Sequence, residues 1–169
     1  MVEIFLMQRL VFFLGNPVYS TALVISSMLV LSALGNLAAP LIARRRVVAV
    51  RIAAGVILAS LAFYAFGLRF VFDRFLSSPM FVRVLLSIAI VAPSAFFMGV
   101  PFPTGLEAIT ERRPRLLPWA WGMNGGLSVA GAALAQVTAL AAGFPLLLGI
   151  VAVLYAVVGV LFPVNEIAD

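Results

Sequence analysis

The chain contains no cysteine, no histidine and no lysine, and only six of its 169 residues are acidic. Without cysteine, disulfides and thiolate metal sites are excluded, and nothing can be read about redox compartment. The absence of histidine removes the commonest metal ligand and general base. Charged residues make up 10% of the chain, against about a quarter in an ordinary soluble domain. What fills the space is apolar: hydrophobic residues reach 64% and mean hydropathy is +1.21. Such a composition fits several runs of about 20 apolar residues, the length that crosses a bilayer, and one membrane domain over residues 1–169.

All eleven basic residues are arginine, and the net charge is +5. These charges flank apolar runs, so lipid headgroups and topology explain them better than nucleic acid, which is not expected as a partner. Glu3 and Arg9 interrupt the first apolar stretch and no small-residue cleavage site follows it, so a cleaved signal peptide is not expected.

The pattern predicts an all-α, multi-pass transmembrane helical bundle of about five full spans plus an N-terminal half-helix. Residues 1–14 are apolar but too short to span, and Gly15-Asn16-Pro17 stops one helix and starts another. This half-helix reads either as partly interfacial or as part of a longer span. Full spans are expected over 18–42, 47–68, 81–100 (kinked at Pro93), 117–142 and 144–162, with a tight turn near Gly143. An amphipathic stretch at 70–76 should lie at the interface, 104–118 reads as a polar loop, and 165–169 as a short polar tail. Arg44, Arg45, Arg46, Arg51, Arg112, Arg113 and Arg115 fall on one side, and Arg9, Arg69, Arg74 and Arg83 on or near the other. The positive-inside rule then makes loops 43–51 and 104–118 and the C-terminus cytoplasmic, in a cell membrane.

Catalytic constellations are not apparent. Asp73, Glu107, Glu111, Glu166 and Asp169 fall in loops or the tail, and no spacing suggests paired carboxylates for acid–base work. Glycines over 122–131 superficially match a dinucleotide motif, yet no strand precedes them. No cofactor is expected. Six residues are candidates for lining a substrate. Glu3, Gln8 and Arg9 are polar near membrane depth, and Glu3 and Arg9, about 120° apart on a helix, should meet different partners. Trp119 and Trp121 sit where an aromatic belt is expected, and Asn124 needs a hydrogen-bond partner or a cavity. Gly122, Gly126 and Ala130 form a small-residue ridge for another helix. Simple alternatives stand beside these: Arg9 snorkelling to the headgroups, Glu3 at a frayed terminus, and a packed helix anchored by tryptophan. The segment 99–105, with Pro101 and Pro103, must break a helix, as an exit turn or as a gate.

Glu3, Gln8-Arg9 and Leu14-Gly15-Asn16-Pro17, then Gly99-x-Pro-Phe-Pro-x-Gly-Leu106 and Pro118-Trp-Ala-Trp121-x-x-Asn-Gly125-x-x-Ser-Val129, occur in order over most of the chain. Together they resemble the membrane region of bacterial multi-pass spermidine synthase-like proteins, in which major-facilitator-like helices are fused to an aminopropyltransferase-type domain. Asn16 stands where that family often has His, and Val100 where it often has Met. The resemblance implies a bacterial inner-membrane module, the C-terminal fragment or split subunit of a larger protein, that anchors or works with an aminopropyltransferase or methyltransferase-fold partner. The soluble α/β half that would hold decarboxylated S-adenosylmethionine has no counterpart in these residues, so no catalytic residue carries over. Two other readings are a transporter or exporter module for polyamines or other small cations, and a structural assembly subunit. The shortage of buried carboxylates weighs against a polycation path. A homo-oligomer or a partner chain, membrane or soluble, is expected in each case, besides the lipid bilayer.

Overall fold

A computed structural model describes residues 1–42 and 45–162, the side chain of Arg112 excepted. Arg44 and the tail 165–169, both used above to orient the chain, lie outside the described residues. Every regular element among them is helical: α1 (Val2–Leu14), α2 (Pro17–Ile42), α3 (Arg46–Phe66), α4 (Leu68–Phe75), α5 (Met80–Met98), α6 (Pro101–Arg112) and, after a 3-10 turn at Pro114–Leu116, α7 (Leu117–Leu161). Four stretches are long and apolar enough to cross a membrane: Pro17–Ile42, Arg46–Phe66, Met80–Glu111 and Pro114–Leu161.

Local chemistry sets the breaks. Gly15 takes the left-handed conformation (φ 75°) and donates its N–H to Val11 O at 2.8 Å, closing α1. Asn16 Oδ1 then accepts from the N–H groups of Val18 (2.8 Å) and Tyr19 (3.3 Å), capping α2, whose first residue Pro17 loses nothing by lacking a donor. The amphipathic stretch expected at 70–76 is α4. Residues 104–118, expected as a polar loop, are mostly helical instead. Pro101 and Pro103 occupy the first turn of α6, where the missing N–H groups would be unpaired anyway. The break before them is slight, since Gly99 and Val100 both keep right-handed helical angles.

Within α7, Gly143 has φ 80° and ψ 171°, a region essentially restricted to glycine. Residues 127–132 and 151–158 nonetheless line one cavity. On a straight helix Gly131 and Tyr155 would stand roughly 36 Å apart, so the chain doubles back at Gly143. α7 is therefore two limbs side by side, 117–142 and 144–161.

One face of α1 is buried in the bundle, while Gln8, Arg9 and Phe12 on its other face are exposed. Phe5, Leu6, Leu10 and Phe13 are essentially inaccessible, with α2, α3, α5 and α7 around them. Phe13 stacks on Phe72 of α4 (4.5 Å between centroids) and Phe5 meets Phe144 edge-on (5.5 Å). Among lipids, where apolar burial brings little gain, packing and interhelical hydrogen bonds carry such a bundle. Ser20 Oγ, wholly buried on α2, donates to Met7 O of α1 (2.7 Å). Tyr64 Oη of α3 donates to Ile90 O of α5 (2.8 Å) and lies 2.7 Å from Ser94 Oγ, beside Pro93, whose missing N–H weakens the helix ladder there.

At its glycines α2 approaches α5 closely. A Cβ on Gly35 would lie 1.8 Å from Phe96 O, and one on Gly99 2.0 Å from Ser32 O, so two backbones touch where only hydrogen atoms fit. The ridge expected to serve this purpose, Gly122 and Gly126, meets nothing within 4 Å.

Candidate functional site

α1 projects its first turn into the bundle and presents its last turn at the opposite end, so its polar residues reach two separate places. Glu3 sits in the first turn, where a carboxylate is favoured by the helix dipole, with Oε2 3.3 Å from the Met1 amino nitrogen. It faces a cavity of about 410 Å³ walled by Met98 of α5, by Ser128 and Gly131 of one limb of α7, and by Val151 and Tyr155 of the other. The wall is apolar apart from Glu3, the Met1 amino group paired with it, Ser128 and Tyr155. A small ligand with one cationic or hydrogen-bonding group matches this lining.

Arg9 lies about two turns further along α1. Its guanidinium carbon is 5.6 Å from the Phe5 ring centroid and 5.5 Å from that of Phe144, the residue after the Gly143 turn. This cation–π contact joins α1 to the second limb of α7. At the same end Arg83 Nη1 of α5 donates to Phe13 O (2.9 Å), placing a cation at the C-terminus of α1, which has no basic residue in its own last turn. Sequence reading had Arg83 only as a flanking charge.

The remaining candidates lie apart. Gln8 is exposed on α1. Trp119 and Trp121 are exposed near the start of α7, and Trp121 packs edge-on against Phe102 of α6 (5.3 Å). Asn124 is half-buried, and its side-chain amide has no hydrogen-bond partner among the described residues; only its carbonyl is used, by Ser128 Oγ (2.6 Å). The six residues therefore do not form one site.

One constellation was missed. Glu107 and Glu111, one turn apart on α6, converge on Arg46 at the start of α3: Glu111 accepts from Nη1 (2.7 Å) and Nη2 (2.5 Å), and Glu107 lies 3.8 Å from Nε. The i, i+4 spacing was the available signal, hidden because the segment was read as loop. With both carboxylates engaged by a guanidinium, the group acts as a clasp between α6 and α3 rather than as an acid–base pair. Among the described residues no group of three or more acidic side chains gathers that could hold a metal.

These contacts also sort the charges. Arg46 shares one end of the bundle with α6, while Arg9 and Arg69 line a single cavity at the other end, where Arg83 reaches the end of α1. Compared with protein-family models, with curated proteins and with solved structures, the chain finds no match.

Proposed function

We propose that this chain is a membrane-embedded scaffold module that crosses the bilayer five times, with α1 as an internal half-helix, and completes its bundle only with a partner. In the order of the resemblance described above, that partner is a spermidine synthase-like, aminopropyltransferase or methyltransferase-fold chain or domain of a bacterial inner membrane system. The observation that carries the reading is the limb 117–142. Residues 125–130 are exposed, with Leu127 and Ser128 bordering the Glu3 cavity, Gly122, Gly125 and Gly126 face open space, and the Asn124 amide is unsatisfied within the described chain. An apolar helix would tolerate lipid on every side, but an amide without a partner in hydrocarbon costs free energy, and bare glycines give up helix stability with no packing return. Both features make sense against another helix. The arginine-rich end with Arg46, Arg51, Arg113 and Arg115 faces the cytoplasm on this reading.

Native mass spectrometry of protein extracted gently from its own membranes tests it. A heteromeric species, or a longer polypeptide, that loses its partner in Gly126→Leu while the thermal transition is kept, is the expected result. A chain bound only to copies of itself sinks the aminopropyltransferase reading. The cavity at Glu3 favours a second function, passage of a small cation, and predicts that Glu3→Gln abolishes uptake in vesicles without changing assembly.

A further inference from the structure

The end of the bundle that carries Arg9 holds two cavities sharing the same wall. One, about 430 Å³, is lined by Arg9, Arg69, Asp73 and the apolar face of α4; the other, about 470 Å³, runs between α3 and the second limb of α7. Arg9, Tyr64 and Ala65 line both, so they are two lobes of one groove that turns around the Arg9 side chain.

We propose that this groove binds an anionic phospholipid, with the headgroup phosphate on Arg9 and Arg69 and one acyl chain in the lobe between α3 and residues 144–152. The chemistry of the lobes is divided as an amphiphile requires. The second lobe has Arg9 as its one charged residue and is otherwise walled by side chains such as Leu58, Leu61, Phe66 and Leu148. Gly149 leaves a notch there, since a Cβ at that position would meet nothing within 4 Å. The first lobe opens beside α4, the amphipathic helix at the level expected of lipid headgroups.

Charge complementarity selects the headgroup. No described carboxylate lies within 4 Å of Arg9, whose recorded partners are the rings of Phe5 and Phe144. Ring contacts leave the in-plane N–H donors of the guanidinium available. Arg69 pairs with Asp73 at 3.8 Å, but both are well exposed, and an exposed i, i+4 pair of that length holds its partners weakly. Two arginines against one aspartate leave the lobe net positive, with Arg74 a further cation on α4. A phosphate diester takes the planar donors of Arg9 in the way a guanidinium favours. The proposal rests on the membrane-spanning part of the reading above and not on any partner chain.

The test uses the whole chain, alone, in nanodiscs containing equal phosphatidylglycerol and phosphatidylcholine with matched acyl chains, followed by release into detergent and native mass spectrometry of retained lipid. Phosphatidylglycerol should be retained preferentially. Arg9→Gln should lower that retention about 10-fold, the effect of losing one charge-assisted hydrogen bond, and Arg69→Gln should lower it less. Gly149→Leu, which fills the tail lobe, should lower retention of both lipids and keeps the test informative should Arg9→Gln fail to fold. Equal retention of the two lipids, or no change in either Arg9→Gln or Gly149→Leu, overturns the proposal. Displacement of the lipid by millimolar inorganic phosphate overturns it too, in favour of a site for small free anions. Absence of any partner subunit from protein extracted from native membranes, with lipid selectivity unchanged, would count against the scaffold reading alone.

Discussion

Replacing Gly35 by alanine should separate α2 from α5. The added methyl would lie 1.8 Å from Phe96 O, whereas a carbon and a carbonyl oxygen ordinarily approach to about 3.3 Å, so roughly 1.5 Å must be found. The obstacle is main chain inside a helix and cannot swing away, so the helices have to part. A gap of 0.5–1 Å already forfeits about a quarter to a half of each dispersion contact along an interface. Overpacking of this kind costs about 3 kcal/mol, of which the better helix propensity of alanine returns about 1, leaving a net loss of about 2 kcal/mol. Gly99→Ala meets Ser32 O at 2.0 Å on the same crossing and should behave alike. Because one separation relieves both clashes, the double substitution should cost markedly less than the sum. Gly55→Ala is the control, since its methyl enters open space and should be neutral or stabilising by up to about 1 kcal/mol. Reversible unfolding in mixed micelles of increasing SDS content resolves these differences. If Gly35→Ala and Gly99→Ala are as stable as Gly55→Ala, the close crossing does not exist.

Other substitutions probe the remaining joints. Gly143→Ala forces a side chain into φ 80°, ψ 171° and should cost about 1–3 kcal/mol in the same assay, with loss of the contact between the α7 limbs read by cross-linking single cysteines at 131 and 155. Tyr64→Phe removes the donor to Ile90 O beside Pro93 and should destabilise by about 1 kcal/mol, with Ser20→Ala costing somewhat less through the lost bond to Met7 O. Arg46→Gln should raise amide exchange across α6 while leaving global unfolding within about 1 kcal/mol, because the clasp is partly exposed to solvent. Since the chain has no cysteine, Ser77→Cys and Thr110→Cys can be labelled singly; they flank α5 and should react with impermeant maleimide from opposite sides of a vesicle.

Much of the helical outline could be read from residue order alone, because its punctuation is chemical. Gly15-Asn16-Pro17 ends one helix and caps the next, and apolar runs bounded by arginine give α2, α3 and α5 to within about two residues at most ends. Residues 101–112 do not look helical in the sequence, because proline suggests a breaker there, whereas Pro101 and Pro103 serve as the helix start. What composition could not convey is which faces meet. Two glycines and an alanine at regular spacing, Gly122, Gly126 and Ala130, look like the packing ridge, whereas the ridge in use pairs Gly35 with Gly99, residues 64 apart whose juxtaposition depends on the path of two helices. The same holds for Glu3 and Tyr155, which share a cavity only because the chain turns at Gly143, and for Arg46, whose acidic partners come 61 and 65 residues later.

α1 supplies much of the buried core, and it leaves the ribosome before the helices that pack on it. During synthesis Phe5 and Phe13 must therefore wait for rings that arrive much later, Phe72 after about 60 residues and Phe144 after about 140. Assembly of this bundle is thus a problem of holding its hub in reserve: until the second limb of α7 has been inserted, the future core is a surface that lipids, an insertase or a neighbouring chain must shield.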